Sequence, residues 1–498
     1  MITLTPGTVT LDQFRNLWSG APARLSDNAL TAIDAAADCV DRIVASGKTV
    51  YGINTGFGLL AQTRIPAAQL ADLQRNLILS HSCGLGDPLP RNTVRMMIIL
   101  KLIGLGRGHS GVRSEVIEAL QGLLDADAMP LIPSQGSVGA SGDLAPLAHM
   151  VAALMGEGRI DLAGDVMPAA AALTRMGREP LVLAPKEGLA LINGTQASTA
   201  IALDALFLGT RVFDAAIHAG ALSVDALKGS VAPFDQRIHA LRGQLGQIDV
   251  AARLRSLLDG SDINASHCHH DCDRVQDPYS FRCQPQVMGA SLDLLTNAAH
   301  TLTIEANAVT DNPILFPGSD EVISGGNFHA QPVAFAADII AMALCEVGSI
   351  SERRTSVLVD PHMSHLPAFL TDDGGVNSGM MIPQVTAAAL VSENKCLAFP
   401  ASVDSIPTSA GQEDHVSMAP IAARKAVTIA RNAAGVIAIE LIAAAQGVDY
   451  HCPLETSPSL QKLHAQIRAL SPHLETDRYW ADEMAALQAA VLAGEIGA

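Results

Sequence analysis

Residues 195–229 read TQASTAIALDALFLGTRVFDAAIHAGALSVDALKG. Alanine and leucine dominate, no proline interrupts, and apolar residues cover most of a helical circumference. The stretch therefore predicts one very long, largely buried helix. Three more of the same kind follow: QPQVMGASLDLLTNAAHTLTIEANAV (284–309), HAQPVAFAADIIAMALCEVGSISERR (329–354) and SMAPIAARKAVTIARNAAGVIAIELIAAA (417–445). Helices apolar on most faces belong in the interior of a bundle or at an oligomer interface, so the fold class is mainly α with a long-helix central bundle. Upstream, the helical patterns are shorter: 65–80, 92–106 and 113–125. RIDLAGDVM (159–167) alternates around a Gly-Asp pair and predicts a small strand pair. This suggests a mixed N-terminal part, residues 1–194, followed by a helical part, residues 195–498.

The bulk composition excludes several function classes. Of 498 residues, 49% are hydrophobic, 16% charged and 3% aromatic. So few charges predict apolar surface buried between subunits. Acidic residues outnumber basic ones 50 to 32, for a net charge of −18, which argues against nucleic acid. The most apolar helical stretch carries Arg431 and Glu440 and is not read as a membrane span. MITLTPGTVTLDQF has neither a basic start nor an apolar core, so no signal peptide is expected. The 8 scattered cysteines read as reduced thiols, and a cytoplasmic setting is expected. SHCHHDCDR crowds His267, Cys268, His269, His270 and Cys272 together, with Cys283 beyond. Its spacing fits no usual zinc pattern and adjacent ligands strain tetrahedral geometry, so no metal is expected there.

The loops between helices are rich in Gly, Pro and polar residues, and one of them, GSVGASGDLAPLAHM (136–150), has almost nothing to pack. One reading is a glycine-rich entry to a buried helix, with Asp143 as its cap and Pro146 in the tolerant first turn. A second reading is chemical. In Ala140-Ser141-Gly142, a tight bend could set the unhindered Gly142 nitrogen on the Ala140 carbonyl carbon. Cyclisation with loss of water, then dehydration of Ser141, would leave a five-membered ring bearing an exocyclic methylene. That group is an electrophile that no ordinary side chain supplies, and a helix N-terminus behind it would favour developing negative charge.

GSVGASGDLAPLAHM resembles the signature of the aromatic amino acid ammonia-lyases, most closely their histidine-acting members. The resemblance runs from Tyr51 to Met418 through YGINTGFG, LSHSCGLGDPL, KEGLALINGTQ, VQDPYSFRCQPQVMG, EANAVTDNP, SGGNFHAQPVAFAAD and ENKCLAFPASVDSIPTSAGQEDHVSM, in order. It implies the fumarase/aspartase-like all-α architecture and a homotetramer whose sites combine loops of more than one subunit. It also implies that Ala140, Ser141 and Gly142 form a methylidene-imidazolone (MIO), with no external cofactor. The reaction implied is deamination of L-histidine to trans-urocanate and ammonia.

The same resemblance implies the site. Tyr51 would take the β-proton; a free phenol titrates near pH ~10, so its phenolate must be favoured by its surroundings. Ser80 and His81 would line the side-chain pocket, where tyrosine- and phenylalanine-acting members carry other pairs. Glu413, otherwise a solvated acid beside Asp414 and His415, would accept from the substrate imidazole or shuttle a proton to and from it. Arg282 would pair with the substrate carboxylate, unless it merely bridges two helices. Asn193 and Gln276 would orient that carboxylate or bond the ring oxygen, Tyr279 would place the amine or donate a proton, and Phe328 would wall the electrophile. The sequence departs from the family at Gly411 (Asn expected), Gln331 (Glu expected) and in PHMSHLP. Two alternatives remain: a tyrosine or phenylalanine lyase or an MIO-dependent aminomutase, and a silent scaffold homologue.

Overall fold

The computed structural model describes residues 1–56, 65–266 and 275–497. They divide into two contact-defined units. The first comprises Met1–Asp204, Ala299–Asp338 and Pro400–Arg424; the second comprises Ala205–Ala298, Ile339–Phe399 and Lys425–Ala498. The expected cut at 194/195 is contiguous, whereas the first unit gathers two later segments and the first residues of a long helix.

The first unit is mixed, with short helices and strands of three or four residues. Its buried spine is the Arg91–Leu105 helix, where Val94 and Met96–Leu105 are all buried. The predicted strand pair forms as Arg159–Leu162 against Asp165–Pro168, antiparallel, with Ala128–Pro130 added alongside. Its turn is Ala163-Gly164 rather than Gly-Asp. Their φ values of +50° and +100° place both central residues in the left-handed region that a two-residue hairpin requires.

The long helices form as predicted, each with most of its length in the second unit. Gln196–Leu227, Gln284–Ala306, Gln331–Val359 and Ala419–Asp449 are each unbroken. Close packing is achieved with small residues: a Cβ on Gly447 would lie 2.8 Å from Ala226 Cβ. One buried charge joins three of these helices. Glu440 accepts from Ser223 Oγ (2.7 Å), Ser351 Oγ (2.6 Å) and Arg354 Nε and Nη2 (2.5 and 2.8 Å). Arg354 and Glu440 are both fully buried, so the pair fixes which helix faces meet more than it adds stability. The Gln331–Val359 and Ala419–Asp449 helices are long and apolar enough to cross a membrane by length and composition. Yet 67% and 72% of their most apolar windows are buried inside the protein, as in core helices.

At the end of the Ala419–Asp449 helix, Asp449 accepts from His464 Nε2 (2.7 Å), Arg468 Nη2 (2.7 Å) and His473 Nδ1 (2.6 Å). Burial pushes this carboxyl up, but the His464 bond, the Arg468 charge and the His473 bond outweigh it and hold it at about 2. A carboxyl held below its unfolded value of ~4 stabilises the fold above that pH and loses its contribution as pH falls toward ~2. Asp449→Asn should therefore cost about 2 kcal/mol at neutral pH and almost nothing near pH ~2. Urea midpoints of the two proteins should converge on acidification; parallel curves would dismiss Asp449 as an acid-sensitive contact.

Candidate active site

The Gly136–Met150 loop is built around one close approach. Gly142 has φ +75° and pairs with Gly194 as an isolated parallel bridge. A Cβ on Gly142 would lie 2.2 Å from Gly194 O, so no other residue fits. Asp143 N, rather than Gly142 N, donates to Gly194 O at 2.8 Å. Asn193 Nδ2 donates to Ser141 O at 2.8 Å, and Asn193 Oδ1 is buried without a partner among the described residues.

Asp143 corrects an expectation. It precedes the Leu144–Leu154 helix, but its side chain does not bond to that helix. Its Oδ2 accepts instead from Ser198 N (2.7 Å) and Ser198 Oγ (2.9 Å), in the first turn of the Gln196–Leu227 helix. Full burial raises its pKa to about 6, against the opposing Ser198 hydrogen bonds. Sequence spacing suggested the nearer helix; tertiary packing chose the longer one.

Ala140 and Ser141 line a cavity of about 1390 Å³. Facing them are Tyr51, Ser80, His81, Asn193, Phe328 and Glu413, so eight of the residues expected from sequence, Ala140 and Ser141 included, line one cavity. Tyr51 is held by a loop organised on Asn54, whose Nδ2 donates to Lys48 O (2.8 Å) while Oδ1 accepts from Val50 N (2.8 Å). His81 ends the Leu70–His81 helix, where its Nδ1 donates to Leu77 O at 2.8 Å, leaving Nε2 as the other ring nitrogen.

Glu413 stands on an unusual turn. Ser409, Ala410 and Gly411 have φ values of +50°, +55° and +85°. A left-handed run in non-glycine residues costs on the order of 1 kcal/mol each and is typical of sites where function over-determines geometry. Glycine and asparagine both tolerate that region, so the departure at Gly411 preserves the turn. Gln331 is likewise accommodated: its Nε2 donates to Ser402 O at 2.9 Å, which glutamate could not do as a carboxylate. Glu413 Oε1 accepts from Ser141 Oγ at 2.5 Å, and Oε2 accepts from Thr408 Oγ1 (2.6 Å) and Ser409 Oγ (2.8 Å). Burial pushes its pKa up, but these hydrogen bonds and nearby His81 outweigh it, so the net shift is downward.

Gln276, Tyr279 and Arg282 do not line this cavity. They belong to the second unit, where Gln276 is exposed, Tyr279 is 71% exposed and the Arg282 guanidinium lies 4.7 Å over the Tyr279 ring. Arg282 Nε is buried without a hydrogen-bond partner among the described residues. The His267–Cys272 cluster lies outside the described residues.

Sequence reasoning missed four contributors. His329 and His415 line the cavity with rings stacked 5.9 Å apart, signalled only by adjacency to Phe328 and Glu413. Asn312 fastens the neighbouring turn by accepting from Gly325 N at 2.7 Å. Lys101 carried no signal at all. Buried in the Arg91–Leu105 helix, its Nζ donates to Ala190 O (3.2 Å) and Asn193 O (3.0 Å), bracing the strand of chain that presents Asn193. Burial lowers its pKa to about 7 against the pull of Asp311 and Asp143.

The donors suit an Ala-Ser-Gly-derived ring. Gly142 tolerates no side chain, Ser141 O already has an amide donor, and the Ser141 hydroxyl has a carboxylate partner.

Known proteins resemble the chain over most of its length. The family model for aromatic amino acid lyases matches residues 9–469. Histidine ammonia-lyase from Burkholderia pseudomallei is 59% identical over 486 residues, 97% of this chain and 96% of that protein. Histidine ammonia-lyase from Trypanosoma cruzi superposes with a TM-score of 0.92 at 42% identity, over 100% of this chain and 94% of that one. Tyrosine aminomutase from Streptomyces globisporus gives a TM-score of 0.94 at 34% identity, over 99% and 97%.

Proposed function

Because this chain belongs to the aromatic amino acid lyase family, a family of carbon–nitrogen lyases, we propose that it converts L-histidine to trans-urocanate and ammonia by β-elimination. The observation that carries the choice of substrate is the pairing of His81 and Glu413 in the cavity that Ala140 and Ser141 line. An imidazole needs polar partners at both ring nitrogens, since an unpaired buried one costs about 1–3 kcal/mol. Glu413 accepts from one N–H. His81, with Nδ1–H committed to Leu77 O, meets the other nitrogen through Nε2. One of the two imidazoles must then be protonated, and the Glu413 carboxylate supplies its counter-charge.

The ring formed from Ala140, Ser141 and Gly142 would supply an electrophile for the substrate amine, making it a better leaving group. The chain's other residues address the second difficulty, a β-proton that is barely acidic. Tyr51 takes that proton as general base. Asn193 holds Ser141 O, and Phe328 walls the reacting centre. Arg282 pairs with the substrate carboxylate, Gln276 assists it, and Tyr279 places the amine, all three from another copy of the chain in a homotetramer. Arg282 Nε, buried and unpartnered among the described residues, supports that assignment. The setting is the cytoplasm.

The test is to incubate purified protein, without added cofactor, with L-histidine, L-tyrosine or L-phenylalanine while following ultraviolet absorbance and ammonia. Ammonia and a conjugated product from histidine alone are expected. Activity on tyrosine or phenylalanine instead would overturn the roles of His81 and Glu413, and an isomerised amino acid without ammonia would identify an aminomutase. His81→Leu should lower kcat/KM for histidine about 10- to 100-fold, the effect of one unpaired ring nitrogen. An unchanged value would remove His81 from the pocket.

A further inference from the structure

We propose that Glu413 acts before any substrate arrives, carrying the proton that removes the Ser141 oxygen as water. The inference rests on the reading that Ala140-Ser141-Gly142 cyclises. Ser141 Oγ donates to Glu413 Oε1 at 2.5 Å. The other carboxylate oxygen is held away by Thr408 and Ser409. Oε1 is thus pinned on the atom that has to leave, and hydroxide leaves poorly unless it is given a proton.

The steps balance. Gly142 N bonds to Ala140 C, and the Ala140 oxygen departs as the first water with the protons of Gly142 N and Ser141 N. Within the ring, the Ser141 Cα proton becomes acidic because its loss gives a delocalised anion. The Glu413 carboxylate accepts that proton. The freed electron pair forms the Cα=Cβ bond, and the Cβ–Oγ pair leaves with oxygen. The oxygen takes the proton back from Glu413 and departs as the second water. Glu413 ends as the carboxylate it began as, and no oxidant or cofactor is consumed. Loss of the Ser141 oxygen also frees Oε1 of Glu413, the carboxylate assigned above to the substrate imidazole. One carboxylate thus serves ring formation first and substrate recognition afterwards.

The experiment is timed intact-mass measurement, under denaturing conditions, of wild-type, Glu413→Gln and Thr408→Val chains made in a cell-free reaction. Wild-type protein is expected to lose two waters. Glu413→Gln, which can hydrogen-bond but not carry the proton, should halt after one, its second loss slowed roughly 100-fold or more. Thr408→Val keeps the carboxyl but loosens it, and should slow the second loss roughly tenfold. Two waters lost from Glu413→Gln at the wild-type rate would overturn the inference and leave the proposed activity standing. Loss of neither water from a Glu413→Gln chain with wild-type helicity would also overturn it, moving Glu413 to ring closure. A wild-type chain that loses no water would overturn the reading of the tripeptide itself.

Discussion

Ser141→Ala should lower L-histidine turnover by roughly 1,000-fold or more, the scale of deleting a principal catalytic group, while the protein keeps its fold. Alanine has no oxygen to lose, so the exocyclic methylene cannot form even if the backbone closes. The fold should be indifferent, because Ser141 Oγ bonds only to Glu413 among the described residues, and Glu413 keeps Thr408 and Ser409 as donors. Ammonia release, intact mass and circular dichroism on one preparation check all three statements. Wild-type turnover in this variant would defeat the mechanism. Unfolding would instead mean that the Ser141–Glu413 bond is structural.

The second large effect concerns Arg282, which belongs to the second unit and does not line the cavity. Arg282→Met alone should cost roughly 100-fold or more in kcat/KM, since a bidentate charge pair with the substrate is lost. Mixing matters more. Chains carrying Ser141→Ala and chains carrying Arg282→Met, each nearly inactive, should regain a measurable fraction of activity when co-expressed or refolded together. A mixed assembly can join an intact Ser141 loop from one chain to an intact Arg282 from another. If each chain completed its own site, no mixture could contain a whole one, and activity would stay at the level of the separate variants. Ammonia release from the mixture, against the two variants assembled separately, decides between these outcomes.

Much of the fold was legible because its signals are local. Helices at 196–227, 284–306, 331–359 and 419–449 followed from uninterrupted apolar composition, and the 159–168 hairpin from alternation. The exact turn was misjudged at Ala163-Gly164, because φ depends on the pairing of the strands and not on the dipeptide alone. The site was legible where chemistry restricts the residue. Ala140-Ser141-Gly142 was read from the chemistry of its own backbone, whereas Glu413, which alone reads as a solvated acid beside Asp414, was named only by the family resemblance. Lys101 did not stand out, since a single lysine within an apolar helix looks like any other until the carbonyls of Ala190 and Asn193 are seen around it.

The amino-acid order alone was enough for helix positions and family resemblance, and it was enough to propose ring closure at Ala140-Ser141-Gly142, because each motif behind them rests on neighbours within a few residues. Only the folded chain could decide that Asp143 caps the Gln196–Leu227 helix rather than its own. The same holds for Glu440 joining three helices and for Glu413 seating on Ser141 Oγ across 272 positions. Hydrogen-bond partners distant in sequence are chosen by packing, which burial enforces and which leaves no periodic trace along the chain.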